Sequence, residues 1–250
     1  MFFFDTPDLA LNRAGVVVRA RRIQGGRGDT VVKLRPVEPD SMPLELRKDP
    51  AFKIEVDVIP GGFVCSASLR GRSTGREVRD VTAGKLAFSK VFTKDQRAFY
   101  SRHAPAGIDL DSLSVLGPIF VLKGRFEANT GLHEDAAPRL IVAEMWLYPD
   151  GERIFELSTK CPPAETIGAA AETRAYLENR GIPVVGAQQT KTSAALAFFS
   201  AELTAGAPAK AAPAKRSVPA AKRTPASNSR RSTATRKPAT RSARSTAPKS

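Results

Sequence analysis

Several stretches of this chain alternate residue by residue between apolar and charged side chains, and the charged positions carry both signs. From Phe52 to Val58, Phe52, Ile54, Val56 and Val58 fall on one parity and Lys53, Glu55 and Asp57 on the other. A period of two is that of a β-strand, whose successive side chains point to opposite faces. Two shorter runs, GVVVRARR and TVVKLR, place Arg19 with Arg21 and Lys33 with Arg35, each pair two residues apart. Each run thus aims two cations at one side of a sheet while valines cover the other. Cations held this close repel one another unless facing carboxylates or a bound anion neutralise them. A compact polyanion suits such a surface.

The same alternation recurs downstream. Lys123 and Arg125 interleave with Leu122 and Phe126, Glu144 is in phase with Val142 and Trp146, and Glu156 and Ser158 interleave with Phe155, Leu157 and Thr159. Two architectures fit. One is a sandwich or open sheet with a solvated polar face. The other is an antiparallel barrel whose polar faces look inward, with helices covering the apolar outside.

Local signals set the order of elements. Phe2 to Thr6 reads as a short strand stopped by Pro7, and Asp8 to Ala14 as a helical turn ended by Gly15. Val16–Ile23 and Thr30–Arg35 read as a hairpin around GGRGD. PVEPDSMP is a loop, Gly61-Gly62 a turn, and GFVCSASL is ambiguous between strand and buried loop. Thr74 with Glu77, and Thr93 with Gln96, have capping-box spacing and predict helices running toward Gly84 and His103. Strands follow over Pro118–Ala128, Arg139–Tyr148 and Glu152–Lys160, the last two joined at Pro149-Asp150-Gly151. Helices close the domain over Ala164–Asn179 and Thr190–Leu203.

Charge divides the chain of 250 residues. Residues 205–250 hold 12 of its 39 Lys and Arg and no Asp or Glu, which leaves residues 1–204 near neutral at +2. The Ala/Pro/Ser/Thr-rich tail has almost no large apolar residue and is expected to be disordered. Its basic dipeptides, among them Lys215-Arg216, Lys222-Arg223, Arg230-Arg231 and Arg236-Lys237, suit sequence-independent contact with nucleic acid or polyphosphate; the alternative is a solubilising linker. Residues 1–204 suit one domain with a real core.

Two cysteines, Cys65 and Cys161, make no disulfide framework, and a reducing, cytoplasmic setting is the default. Two histidines argue against a Cys/His zinc site and leave magnesium or manganese on carboxylates as the plausible metal. The start, MFFFDTPD, lacks the basic opening of a signal peptide, and no apolar run is long enough to span a membrane. Trp146 reads as packing, His103 as a helix-end residue and Cys161 as merely buried.

The string FFDTPDLALNRAGVVVRARR resembles the CYTH superfamily, the triphosphate tunnel enzymes. Its aromatic-Asp-Thr-Pro start matches Phe4-Asp5-Thr6-Pro7, and its Leu-Arg-x-Arg strand matches Val18-Arg19-Ala20-Arg21. Similar stretches follow in the family's order at Thr30–Arg35, Lys53–Asp57, Lys123-Gly124-Arg125, Glu144, Ile154–Leu157 and Thr190–Leu196. The likeness spans roughly residues 3 to 200.

The resemblance implies an α+β fold: an antiparallel β-barrel of triphosphate-tunnel type with flanking helices, followed here by the basic tail. It implies that Arg19, Arg21, Lys33, Arg35, Lys53, Lys123, Arg125 and Lys191 bind phosphate oxygens, that Asp57, Glu144 and Glu156 hold Mg2+ or Mn2+, and that Glu55 and Glu156 serve catalysis. The substrate would be a triphosphate-containing small molecule or polyphosphate, and the activity a metal-dependent triphosphatase. A non-catalytic polyphosphate- or nucleic-acid-binding module is the alternative, and a class IV adenylyl cyclase a third reading.

Two departures stand out. The family opens with a Glu-x-Glu-x-Lys strand upstream of Asp-Thr-Pro, whereas here Met1 stands four residues before Asp5, and Ser158 replaces the second Glu of the last strand. The expectation is a natural start upstream of Met1; otherwise the chain is a relative that binds anions without turning them over. The mass of the native protein separates the two.

Overall fold

The computed structural model describes residues 1–59, 62–130, 137–184 and 191–205, all within one unit, Met1–Ala209. Gly61, His133, Thr190 and all of the basic tail beyond Ala205 lie outside the described residues, as do the expectations placed on them.

The chain opens with β1 (Phe2–Asp5), the short helix α1 (Ala10–Arg13), β2 (Val16–Arg22) and β3 (Arg27–Leu34). Asp5 joins the first two elements. Its buried carboxylate accepts from the backbone N–H groups of Thr6 (2.7 Å), Leu11 (2.9 Å) and Asn12 (3.0 Å). Gly15 then reverses the chain at φ 74°, and a Cβ there would lie 2.9 Å from the Arg35 carbonyl oxygen. The aspartate of the Asp-Thr-Pro start is thus a backbone cap that sets the entry to β2.

Next come α2 (Leu44–Arg47), β4 (Phe52–Ile59), β5 (Gly62–Thr74), α3 (Gly75–Thr82) and α4 (Lys94–His103). Both predicted capping boxes are present: Thr74 with Glu77 opens α3, and Thr93 with Gln96 opens α4. The segment left ambiguous, GFVCSASL, is the first part of a 13-residue strand. A short strand absent from the sequence reading, β6 (Ser114–Leu116), precedes β7 (Phe120–Ala128), β8 (Arg139–Leu147), β9 (Arg153–Thr159), α5 (Thr166–Glu178) and α6 (Lys191–Thr204).

The fold is α+β, with antiparallel sheets, but the described strands do not close into a barrel. They form a six-stranded sheet, β4-β5-β3-β2-β1-β6, and a three-stranded sheet, β7-β8-β9. β6 and β7 are one bent path, interrupted at Gly117-Pro118, where proline offers no N–H to a ladder. Met1 and Ile119 exchange two backbone hydrogen bonds (2.7 and 2.9 Å) beside that bend and tie the sheets together. On the far side β4 and β9 remain edge strands. The chain leaves β9 through Cys161-Pro162-Pro163, which ends any run of donors, and the Lys160–Glu55 ion pair (2.5 Å) crosses the gap in place of a ladder.

Two apolar cores lie on opposite sides of the larger sheet. Val16, Val18, Ala20, Val32, Leu34, Ala67 and Leu69 pack beneath α1, α3 and α4 through Leu11, Val78, Val81, Phe99 and Tyr100. On the other face Phe3 and Val17 meet Trp146, Val121 and Ile154 of the smaller sheet, capped by Ala195, Leu196 and Phe199 of α6. The charged positions of both sheets share their parity with this second core. In β4 the apolar parity is buried only at Phe52; Val56 and Val58 overhang the first core and are exposed. α5 is held against β8 by Arg139, whose Nε donates to Glu172 (2.7 Å).

Candidate functional site: a cationic surface between two sheets

Strand register explains how the charges collect. Across β2, β3 and β5 of the larger sheet, Arg21 faces Asp29, which faces Arg72; Arg19 faces Val31, which faces Arg70; and Val17 faces Lys33, which faces Ser68. β4 continues the last of these levels with Lys53 opposite Ser68, then places Glu55 opposite Ser66 and Asp57 opposite Val64. Antiparallel partners share a face, so these side chains form levels about 7 Å apart along the strands. Phe3 pairs with Arg19 and packs on Trp146 (ring centroids 6.3 Å apart), which turns this face toward the smaller sheet.

The smaller sheet answers with its own level: Lys123 opposite Glu144, and Glu144 opposite Glu156. Lys123 Nζ donates to Glu144 Oε1 (2.8 Å). Lys191, at the start of α6, donates to the other oxygen of Glu144 and to Glu156 Oε1 (2.6 Å), with its ammonium 5.1 Å from the Trp146 ring centre. Trp146, read as packing, does pack in the second core, and its indole N–H also reaches Glu144 (3.4 Å).

The structure gathers the sequence-derived candidates into separate groups. Lys123, Glu144, Glu156 and Lys191 form one. Asp57 pairs with Arg35 (3.0 Å) and lies 3.9 Å from Lys33, while Glu55 pairs with Lys160. Arg21 grips both oxygens of Asp29. Arg19 has no ion pair among the described residues, and its buried Nε has no hydrogen-bond partner there. Lys53 and Arg125 are exposed and unpaired among the described residues. Arg70 and Arg72, absent from the sequence-derived set, stand on the same face as Arg19 and Arg21.

Electrostatics follow the packing. Burial, reinforced by Arg21, lowers Arg19 to about 10, and burial also lowers Lys33. Burial alone would raise Glu144, but hydrogen bonds from Lys123 and Lys191 outweigh it and hold the carboxyl at about 2. A carboxyl depressed in the folded state contributes stability above its unfolded value, near 4.5, and loses it as pH falls toward 2. Glu144→Gln is therefore expected to flatten the acid limb of the stability curve between about pH 4.5 and 2. Urea denaturation across that range measures it; an unchanged acid limb refutes the assignment.

No family model matches this chain, and no curated protein does. Among solved structures, one match is a crystal structure of a proposed adenylate cyclase from Bacillus halodurans. It is 14% identical over 77% of this chain and 79% of that chain, with a TM-score of 0.47. No described helix is long and apolar enough to cross a membrane.

Proposed function

We propose that the chain binds a triphosphate-class anion, carried by a small molecule or as short polyphosphate, on the facing polar surfaces of its two sheets. One observation carries this reading: Arg19 shares a face with Arg21 and Arg70, and its buried Nε has no hydrogen-bond partner among the described residues. A buried guanidinium N–H without a partner is costly, and an anion drawn to the half-buried Arg19 offsets that cost. Arg21, Lys33, Arg70 and Arg72 stand on the same face, and Arg35 meets Asp57 of that face. The resemblance of the Arg-x-Arg and Lys-x-Arg strands to the triphosphate tunnel enzymes supports the same ligand class.

Cleavage of the anion by a metal-dependent route would ask Asp57, Glu144 and Glu156 to hold one hard divalent ion. Among the described residues no group of three or more His, Cys, Asp or Glu is placed to do so. Asp57 belongs to the Arg35 pair, and Lys191 sits between the two glutamates. These residues do not fit the ion as arranged, and the function they support is binding.

Calorimetric titration with inorganic tripolyphosphate tests the proposal. Binding is expected at low salt and is expected to weaken steadily as salt rises, as for contacts made by charge neutralisation. A folded protein that shows no binding at low salt would refute it. Phosphate release from tripolyphosphate with manganese present would restore the hydrolase reading.

A further inference from the structure

The cluster around Glu144 has the carboxylates of a divalent-metal site but not its vacancy. Each oxygen of Glu144 already accepts a charged donor, Lys123 on Oε1 and Lys191 on Oε2. Glu156 accepts from the same Lys191 ammonium at 2.6 Å. Two carboxylates and two ammonium groups make the cluster neutral.

Lys191 is not a loose surface lysine. It begins α6, whose Ala195, Leu196 and Phe199 are buried in the second core with Phe3, Trp146 and Tyr148. The Tyr148 hydroxyl donates to the Lys191 carbonyl (3.2 Å) and fixes the backbone from which the side chain reaches. The ammonium then rests between two carboxylates and near the Trp146 ring, with its side chain 21% exposed. A divalent ion at Glu144 and Glu156 would have to expel this cation and take its oxygen ligands from carboxylates already engaged.

We infer that Lys191 is a built-in counter-cation that takes the place of a divalent metal at Glu144 and Glu156, so that the neighbouring cationic face engages polyphosphate without Mg2+ or Mn2+. Its first half concerns the protein alone; its second half rests on the anion-binding reading. The anion is left to the arginines of β2 and β5 and to Lys33 and Arg35, which no metal needs to bridge.

The test uses two probes. Mn2+ alone is titrated onto the full chain and followed by electron paramagnetic resonance. The wild type is expected to leave Mn2+ free. Lys191→Met, which removes the ammonium while keeping much of its apolar stem, is expected to gain Mn2+ binding that a further Glu144→Gln abolishes. Tripolyphosphate is then titrated by calorimetry with a chelator in excess or with magnesium. Affinity under the chelator is expected to equal or exceed that with magnesium, because magnesium neutralises the free ligand.

Stoichiometric Mn2+ binding by the wild type, lost in Glu144→Gln, overturns the inference. So does tripolyphosphate affinity that rises more than about tenfold, or ~1.4 kcal/mol, when magnesium is added. If Mn2+ stays free and tripolyphosphate binds under neither condition, the anion-binding reading fails while the assignment of Lys191 stands. If Lys191→Met does not fold by circular dichroism, the two wild-type titrations still decide.

Discussion

Replacing Arg19 with methionine is expected to weaken tripolyphosphate binding by about 10- to 100-fold, the effect of one or two lost charge-assisted hydrogen bonds. The fold should survive. Arg19 has no carboxylate of its own among the described residues, so its removal orphans no acid, and it relieves a cation that burial has already brought down to about 10. Stability is therefore expected to hold or rise as binding falls, the pattern of a strained functional group. Arg21→Met should behave differently, because it leaves the partly buried Asp29 without the guanidinium that grips both its oxygens. Calorimetry paired with urea denaturation separates the two. Undiminished binding by a folded Arg19→Met variant would remove Arg19 from the site.

Gly71→Ala should be strongly destabilising for a change of one methyl group. A Cβ at this position would lie 2.3 Å from Gln96 Oε1 and 2.6 Å from Thr30 Oγ1. Gln96 is fully buried, and its amide donates to the carbonyls of Thr30 (3.1 Å) and Leu69 (3.0 Å). The same side chain caps α4 by accepting from the Thr93 N–H (3.1 Å). Displacing it overpacks the sheet, orphans two carbonyls and loosens a helix start, for a loss of about 3 kcal/mol or more. Adding Gln96→Ala frees the space, so the double variant should lose less than the sum of the single losses. Urea midpoints measure both; a Gly71→Ala loss under about 0.5 kcal/mol would show that the sheet yields easily there.

Much of the fold was legible because its signals are local. The two capping boxes need only a Thr and an acid or amide three residues on, and both helices start where those pairs stand. The β2–β3 hairpin and the turn at Gly151 (φ 93°) follow from glycine placement. What failed was either weakly patterned or non-local. β5 was ambiguous because Cys65, Ser66, Ala67 and Ser68 give no alternation, and with it went Arg70 and Arg72. Their signature, two cations two residues apart, is the one that marks β2 and β3, and would have found them. Closure of the barrel depends on whether two distant edges meet, and no short pattern encodes that. Nor does spacing reveal that Lys191, some 35 residues beyond Glu156, arrives between two glutamates; only the docking of α6 brings it there.

The gap between β4 and β9 bears on how any variant of this protein must be handled. An unpaired strand edge recruits other strands, and charged side chains such as Lys53, Glu55 and Asp57 discourage such recruitment. The side chains an experimenter would neutralise to probe ligand contacts on β4 therefore also guard this edge against pairing with other strands. Light scattering belongs beside every titration of such a variant, so that self-association is not mistaken for a lost ligand.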